Sequence, residues 1–525
     1  MPKVIISDKI DPSAIETLEK NGVAYDYKPD ITNDEMCEII AEYDGVVMRS
    51  ATQITPKLLA NAKNLKAVVR AGVGVDNIDI PSATEHGVVI MNTPFGNSIT
   101  TAEHTIGMIF SVARTIPQAS ASTKAGQWAK KEFIGSELHN KVLGVVGCGN
   151  IGSQVSVRAL ALGMKVIAYD PYIKDERFEK FGVKKVSFDE LLAQSDFITL
   201  HVPKTDETMG MINKAAMEKM KDGVRIVNCA RGGVVVEKDL IEMLNSGKVR
   251  GAALDVFEVE PAIENPLFED DRVICTPHLG SGTKEAQVNV AVQATQQISD
   301  FLLSGAVTNA LNTPSVSAEE APRLQPYLKL AEQIGEFAGQ ITESAIEAVE
   351  IEYSGTVTEL NTDPITSTLI SRLLRSQVVS ANLVNALQVA KDRGITIKQS
   401  YDENGVNWRS MLNVVIKTNA RTRNVTGTLF TGKEPRIVNV EGVPIEVALS
   451  GDALFIRNED KPGLIGGLGS LLADAGHNIA DFRLGRKAEG GDAICVVSLD
   501  APLSDELFEK VKALPLVRSA KRLKF

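Results

Sequence analysis

Residues 143–170, LGVVGCGNIGSQVSVRALALGMKVIAYD, narrow the choice of fold more than any other part of this chain. An apolar run is interrupted by Gly147, Gly149 and Gly152, an amphipathic segment follows, and a second apolar run closes on Asp170. The first glycine permits a tight turn, the second a close approach of backbone to a ligand, and the third close packing of helix on strand. The helix that begins there presents free amides and the positive end of its dipole, which suits a pyrophosphate. An acid about twenty residues further on is placed to hydrogen-bond a ribose hydroxyl. The spacing predicts a doubly wound unit that binds a dinucleotide. Asp170 is followed by Pro171, Tyr172 and Ile173 with no arginine beside it. That favours NAD over NADP, because a carboxylate repels the extra phosphate.

The same alternation of short apolar runs and helical stretches extends on both sides. VIIS (4–7), VAYDYK (23–28), GVVMR (45–49), LKAVVRA (65–71) and VVIMN (88–92) read as strands of a first parallel sheet. A helix over 98–117 leads to six further strands: 142–147, 165–170, 196–203, 224–230, 251–257 and 272–277. Their nearly unbroken Val/Ile/Leu character suits strands buried on both faces. A helix over 284–304 is expected to pack back on the first unit. The Pro-, Ser- and acid-rich segment 311–323 reads as a linker, residues 324–450 mix a few helices with β-rich stretches, and 452–525 follow a strand–helix–strand–strand–helix–strand plan of ferredoxin-like type.

With 525 residues the chain is too long for one core. Acidic residues outnumber basic ones 67 to 56, a formal charge of −11, which argues against nucleic acid or an anionic membrane as partner. The five cysteines are scattered and odd in number, the pattern of reduced thiols rather than of a disulfide framework or a metal site. The N-terminal apolar run is too short for a signal peptide and no stretch is long enough to span a bilayer, so the expected compartment is the cytoplasm.

Ligands of an open α/β sheet bind at the carboxyl ends of its strands. Arg231, Asp255, Glu260 and His278 all follow such ends. A dehydrogenase acting on an alcohol needs a base for the hydroxyl proton, an acid to orient and charge the imidazole, and a cation to polarise the carbonyl. His278, Glu260 and Arg231 are the candidates for these roles, in that order. His86, His139 and His477 lie in polar or loop-like settings, and His104 lies within the linking helix as a structural residue. His201 also ends a strand and is the rival base. Arg49 and Arg70 end strands of the first sheet and could meet a phosphate, whereas Lys130 and Lys131 read as solvated charges.

RAGVGVDNIDI, MNTPFGNS, GVVGCGNIG, NCARGG, ALDVFEVEP and TPHLGSGTKEA together resemble the D-isomer-specific 2-hydroxyacid dehydrogenases, in the long form that carries an intervening domain and a C-terminal ACT domain. The resemblance covers residues 1–312 and continues into the tail. It implies an α/β protein with a Rossmann-like NAD domain (99–284), a flavodoxin-like substrate domain (1–98 and 285–312), an α+β intervening domain (313–451) and a ferredoxin-like ACT domain (452–525). It also implies oxidation of D-3-phosphoglycerate on the route to L-serine, and catalysis by Arg231, Glu260 and His278. NAD contacts are implied at Gly147, Gly149, Asn150, Ile151, Gly152, Asp170, Cys229, Ala230, Arg231, Asp255, His278, Leu279, Gly280 and Ser281. Position 150 is Asn where many relatives have Arg, and Val73 replaces a polar residue of some relatives. Substrate contacts are implied at Arg49, Ser50, Arg70, Gly72, Val73 and Asn97. In the tail, Asn458, Asp460 and Asn478 fall where the family places effector contacts, with L-serine the implied effector and a homotetramer the implied assembly. Alternatives are a dehydrogenase of hydroxypyruvate, glyoxylate or D-lactate, and an NAD-sensing corepressor-like binding protein.

Overall fold

The computed structural model describes residues 2–525 except 181, 318, 379 and 404–407. The first sheet is fully parallel, its strands lying side by side as Ala24–Tyr27, Lys3–Ile6, Gly45–Met48, Ala67–Arg70 and Val89–Asn92. This 2-1-3-4-5 order is flavodoxin-like. Helix Lys284–Ser304 returns to cover it, placing Val290, Ala294 and Ile298 in one core with Val4, Ile6 and Val47. A Cβ at Gly45 would stand 2.6 Å from the Ile298 methyl, so glycine is what lets that helix lie close.

The second sheet is parallel and has seven strands: Val273–Cys275, Val249–Leu254, Val224–Asn228, Phe197–Leu200, Val142–Val146, Lys165–Tyr169 and Lys184–Lys185. Counted within this unit the order is 7-6-5-4-1-2-3, the doubly wound arrangement extended by one strand. The sequence predicts six of the seven. The two-residue edge strand at Lys184–Lys185 has no apolar side chain to reveal it. The observed strands also stop short of the predicted runs, as at Asn228 and Leu254, where the chain leaves the ladder for the loops that carry Arg231 and Asp255. The expected single helix over 98–117 is corrected to two, Ser98–Arg114 and Ile116–Lys124. Pro117 can neither donate to the preceding turn nor avoid clashing with it, and Thr115 takes up the break at φ 48°.

Residues 311–323 are only partly a linker. Val316 bridges to Val307, residue 318 lies outside the described residues, and a helix begins at Ala321. That helix, Ala321–Ile341, crosses helix Asp363–Arg375 closely. Cβ atoms at Gly335 and Gly339 would stand 2.5 and 2.6 Å from the carbonyls of Leu369 and Leu373. Both helices share a core with a six-stranded mixed sheet whose four C-terminal strands form an antiparallel meander from Ser410 to Val447. Residues 452–524 form an antiparallel sheet in the order Ile479–Arg486, Asp492–Leu499, Asp452–Glu459, Val517–Lys524. Leu454, Ile456, Cys495 and Val497 on one face pack with helix residues Leu468, Leu472, Phe508 and Val511. On the other face Ala453, Phe455, Ile494, Val496 and Leu523 join the core of the preceding unit. Among the described residues, no helix is long and apolar enough to cross a membrane.

Candidate active site

The glycine-rich turn has the form a dinucleotide requires. Strand Val142–Val146 ends at Gly147, which adopts φ 87°, and helix Asn150–Ala161 starts with Gly149 as its cap and no side chain bonded to its first amides. A Cβ at Gly147 would meet the His201 carbonyl at 2.6 Å, and one at Gly152 would meet the Gly147 carbonyl at 2.0 Å. At Gly149 a Cβ would meet nothing within 4 Å, leaving open space above the helix end. Free amides, a dipole end and room for phosphate coincide there, and the residues fit NAD. Asp170 closes the neighbouring strand nearly buried, accepting from the amides of Cys148 and Tyr172 at 2.9 Å each. Each of its oxygens keeps a second acceptor site for a ribose hydroxyl. The Asn150 side chain reaches only weakly towards the Pro94 carbonyl, at 3.5 Å.

His278 and Glu260 meet at 2.7 Å, Nδ1 to Oε2. The other Glu260 oxygen accepts from the Phe257 amide at 3.0 Å, which fixes the carboxylate. Glu260 raises the pKa of the imidazole above its ordinary value, against desolvation that pulls it down. Desolvation pushes the Glu260 carboxyl up, but the His278 and Phe257 bonds and the charges of His278 and Arg231 outweigh it and hold the group below its ordinary value. The His278 backbone is in the left-handed region at φ 55°, uncommon for a residue other than glycine. Its amide donates to the Asp255 carbonyl at 2.9 Å, which helps hold that conformation.

Arg231 leaves the end of strand Val224–Asn228 and crosses towards the first sheet, where its Nε donates to Asp76 at 3.0 Å. Arg70 lies beside it; desolvation and the charge of Arg231 push its guanidinium down to about 10, so it stays protonated at neutral pH. The room for these two groups comes from Gly74. A Cβ there would stand 1.7 Å from Arg231 Nη2 and 2.9 Å from Arg70 Nη1. Arg49 follows strand Gly45–Met48, and its carbonyl accepts from Arg70 Nε at 3.3 Å and from Asn77 at 2.8 Å. Buried Asp8 receives the amides of Arg49 and Thr52 and shapes the loop that carries Arg49 and exposed Ser50. The carbonyls of Gly72 and Val73 accept from the Thr93 amide and the Asn92 side chain, which sets the loop opposite Arg231. Asn97 Oδ1 is buried without a hydrogen-bond partner. Three guanidinium groups with two carboxylates nearby form a local positive field in a chain of charge −11.

The structure thus brings Arg231 close enough to Glu260 and His278 for its charge to act on both. His201 is placed differently. Its Nε2 bonds Thr199 at 3.0 Å, its Nδ1 is buried without a partner, and burial pushes its pKa down to about 3. Asp255 is fully buried and engaged by Leu279, Gly280, Thr276 and His104, a place that shapes the His278 turn. Cys229 is a buried thiol held protonated by desolvation. Ala230 is buried as well, with its carbonyl accepting from Arg231 Nη1. Lys130 and Lys131 are exposed. Asp8, Gly74 and Asp76 were not singled out from the sequence, although RAGVGVDNIDI contains the last two. The signal available was the glycine between two positions that flank arginine-bearing strands.

In the tail the effector candidates do not all converge within one chain. Asn458 is buried with Oδ1 unpartnered, and Asp460 beside it accepts from the Gly490 amide and Arg486, both at 3.0 Å. Asn478 bonds Asp500 and precedes Ile479, which pairs with Leu499, whereas Asn458 pairs with Ala493. Six residues along a strand separate the two by roughly 20 Å.

Three family models match successive parts of the chain: the NAD-binding domain of the D-isomer specific 2-hydroxyacid dehydrogenases over residues 106–280, the D-3-phosphoglycerate dehydrogenase intervening domain over 323–441 and the ACT domain over 453–516. The chain is similar to the D-3-phosphoglycerate dehydrogenase of a Synechocystis species, with 42% identity over 100% of this chain and 95% of that one. It is similar to the Bacillus subtilis enzyme of the same name, with 41% identity over 99% of both. Among solved structures, a glyoxylate reductase from Paecilomyes thermophila superposes with a TM-score of 0.56 and 31% identity, covering 59% of this chain and 98% of its own.

Proposed function

The chain belongs to the D-3-phosphoglycerate dehydrogenase family, and from that membership we propose that it oxidises the C2 hydroxyl of D-3-phosphoglycerate to the ketone, the entry reaction towards L-serine. NAD, when bound, supplies the acceptor for the hydride. His278 takes the hydroxyl proton on its free ring nitrogen as the carbonyl forms. Glu260, bonded to Nδ1, orients the ring and stabilises the imidazolium that results. Arg231 holds the carboxylate and polarises the developing carbonyl. Arg49 and Arg70, with the 72–73 loop and Asn97, receive the phosphate end. Gly147, Gly149 to Gly152 and Asp170 hold the pyrophosphate and ribose, with Cys229 to Arg231, Asp255 and His278 to Ser281 lining the nicotinamide end.

The observation that carries this reading is the 2.7 Å His278–Glu260 pair set beside an arginine cluster that also spans the facing sheet. We read the units as 1–98 with 285–312, 99–284, 313–451 and 452–525, in a cytoplasmic homotetramer. The separation of Asn478 from Asn458 and Asp460 favours an L-serine site shared between ACT domains of two copies. The test is absorbance of reduced nicotinamide with NAD and D-3-phosphoglycerate, glycerate, D-lactate or glycolate, with and without L-serine. Activity confined to the phosphorylated acid, lost preferentially in Arg49→Ala and lowered by L-serine, is expected. Equal rates on the unphosphorylated acids would overturn the substrate assignment, and absence of any serine effect would overturn the effector.

A further inference from the structure

Helix Ser98–Arg114 begins where the chain crosses from the first parallel sheet to the second, and its first turns lie behind the turn that carries His278. Three contacts join them. Thr100 Oγ1 lies 3.2 Å from Thr283 Oγ1, at the start of the helix that returns to the first sheet. Thr101 Oγ1 donates to the Gly280 carbonyl at 2.9 Å. His104 Nε2 lies 3.2 Å from Asp255 Oδ1 and 3.3 Å from Thr276 Oγ1. Residues three and four apart on a helix share a face, so Thr100, Thr101 and His104 present one polar side to the turn.

Asp255 is the centre of this arrangement. Its side chain is fully buried, and it accepts from the Leu279 amide at 2.7 Å, the Gly280 amide at 2.8 Å and the Thr276 hydroxyl at 2.5 Å. Those donors are neutral and all belong to the 276–280 turn. A buried carboxylate is costly unless a cationic or strongly polar partner compensates it. His104, with Nε2 3.2 Å from Oδ1, is the partner that comes from outside the turn, on the crossing helix.

We propose that His104 is a positioning residue for the reaction: it anchors Asp255, and through Asp255 the 276–280 turn, so that His278 keeps its left-handed backbone and aims Nδ1 at Glu260. The proposal rests on the reading of His278 as the proton acceptor. It ties the base to the crossing between the sheets, so that the relative placement of the two sheets is felt at His278 through one helix turn.

The experiment compares His104→Leu, His104→Gln and His104→Asn in the full-length protein. Gln places an amide donor near the position of Nε2; Leu has no donor, and Asn falls short. A misplacement of about 1 Å at a catalytic group costs about 100-fold in rate. A drop approaching that is expected in kcat for Leu, with the KM for D-3-phosphoglycerate within about threefold of wild type, and Gln should recover most of it. Should the Leu variant not fold, the comparison of Gln with Asn carries the same information. A kcat at the wild-type level in Leu or Asn, or equal losses in Gln and Asn that follow the melting temperature, overturns the proposal. His278→Gln is assayed alongside: retained activity there refutes the role of His278 itself, whereas its loss with an unaffected His104→Leu refutes only the positioning role.

Discussion

Replacing Glu260 by Gln keeps the shape of the side chain and removes the charge that meets His278 Nδ1 at 2.7 Å. A hydrogen bond to a charged partner contributes about 2 kcal/mol when shielded from water. The His278 side chain is 48% exposed, so screening leaves roughly half of that, about 1 kcal/mol. Without that charge the imidazole should titrate lower in the variant, because the Glu260 carboxylate is what raises it. The sign differs between directions of reaction. Oxidation needs the neutral ring, so its rate falls as pH drops through the raised His278 value, and in Glu260→Gln this acid limb moves down. Reduction needs the imidazolium, so its rate falls as pH rises, and that limb also moves down. Measuring kcat/KM against pH in both directions, by absorbance of the reduced nicotinamide, reads both limbs. Limbs that stay in place, or move upward, would refute the assignment of Glu260 as the group that charges His278. The pair also makes stability pH-dependent. The raised His278 contributes fully below its ordinary 6.5 and loses its contribution as pH rises through the folded value; the depressed Glu260 contributes fully above its ordinary 4.5 and loses it as pH falls. The greatest contribution therefore lies between those two values.

Gly74→Ala forces a methyl to within 1.7 Å of Arg231 and should lower kcat/KM for the acid substrate by about 100-fold, the scale of a displaced catalytic group; isothermal titration should find NAD binding nearly unchanged. Gly152→Ala, whose Cβ would stand 2.0 Å from the Gly147 carbonyl, should instead weaken NAD binding and lower the melting temperature, and an unaltered dissociation constant would count against the cradle. Asp170→Ser should narrow the preference for NAD over NADP by about tenfold or more, equivalent to the removal of one repulsive charge pair of about 1.4 kcal/mol. Unaltered discrimination between the two cofactors would place the ribose elsewhere.

The parallel units were legible because a strand buried on both faces must be apolar throughout, and glycines at the turn leave a fixed signature in spacing. For the same reason His278, Glu260 and Arg231 could be ranked from their places after strand ends. What escaped was set by groups distant in sequence. Asp76 meets Arg231 across 155 residues, and nothing local marks it as different from any loop acid. Asp8 is buried because three donors of the 49–52 loop converge on it, a fact of tertiary packing. The break at Thr115 was signalled by Pro117 but hidden by the helical periodicity on both sides. Asp255 reads from sequence as a cofactor contact, and the fold adds a feature no local signal carries: its oxygens accept from Thr276, Leu279 and Gly280 in the turn that holds His278.

The sheet of residues 452–524 contributes one whole face to the core of the unit before it, through Ala453, Phe455, Ile494, Val496 and Leu523. Cutting the chain ahead of it would therefore do more than delete a sensor. Phe337, against which Phe455 stands edge-on with ring centres 5.4 Å apart, would be laid bare along with its neighbours, and the remainder would be prone to self-association. The two C-terminal units should melt as a single cooperative block. An event that distorts the last sheet is thus handed directly to the packing beneath it, without needing a flexible tether to carry the message.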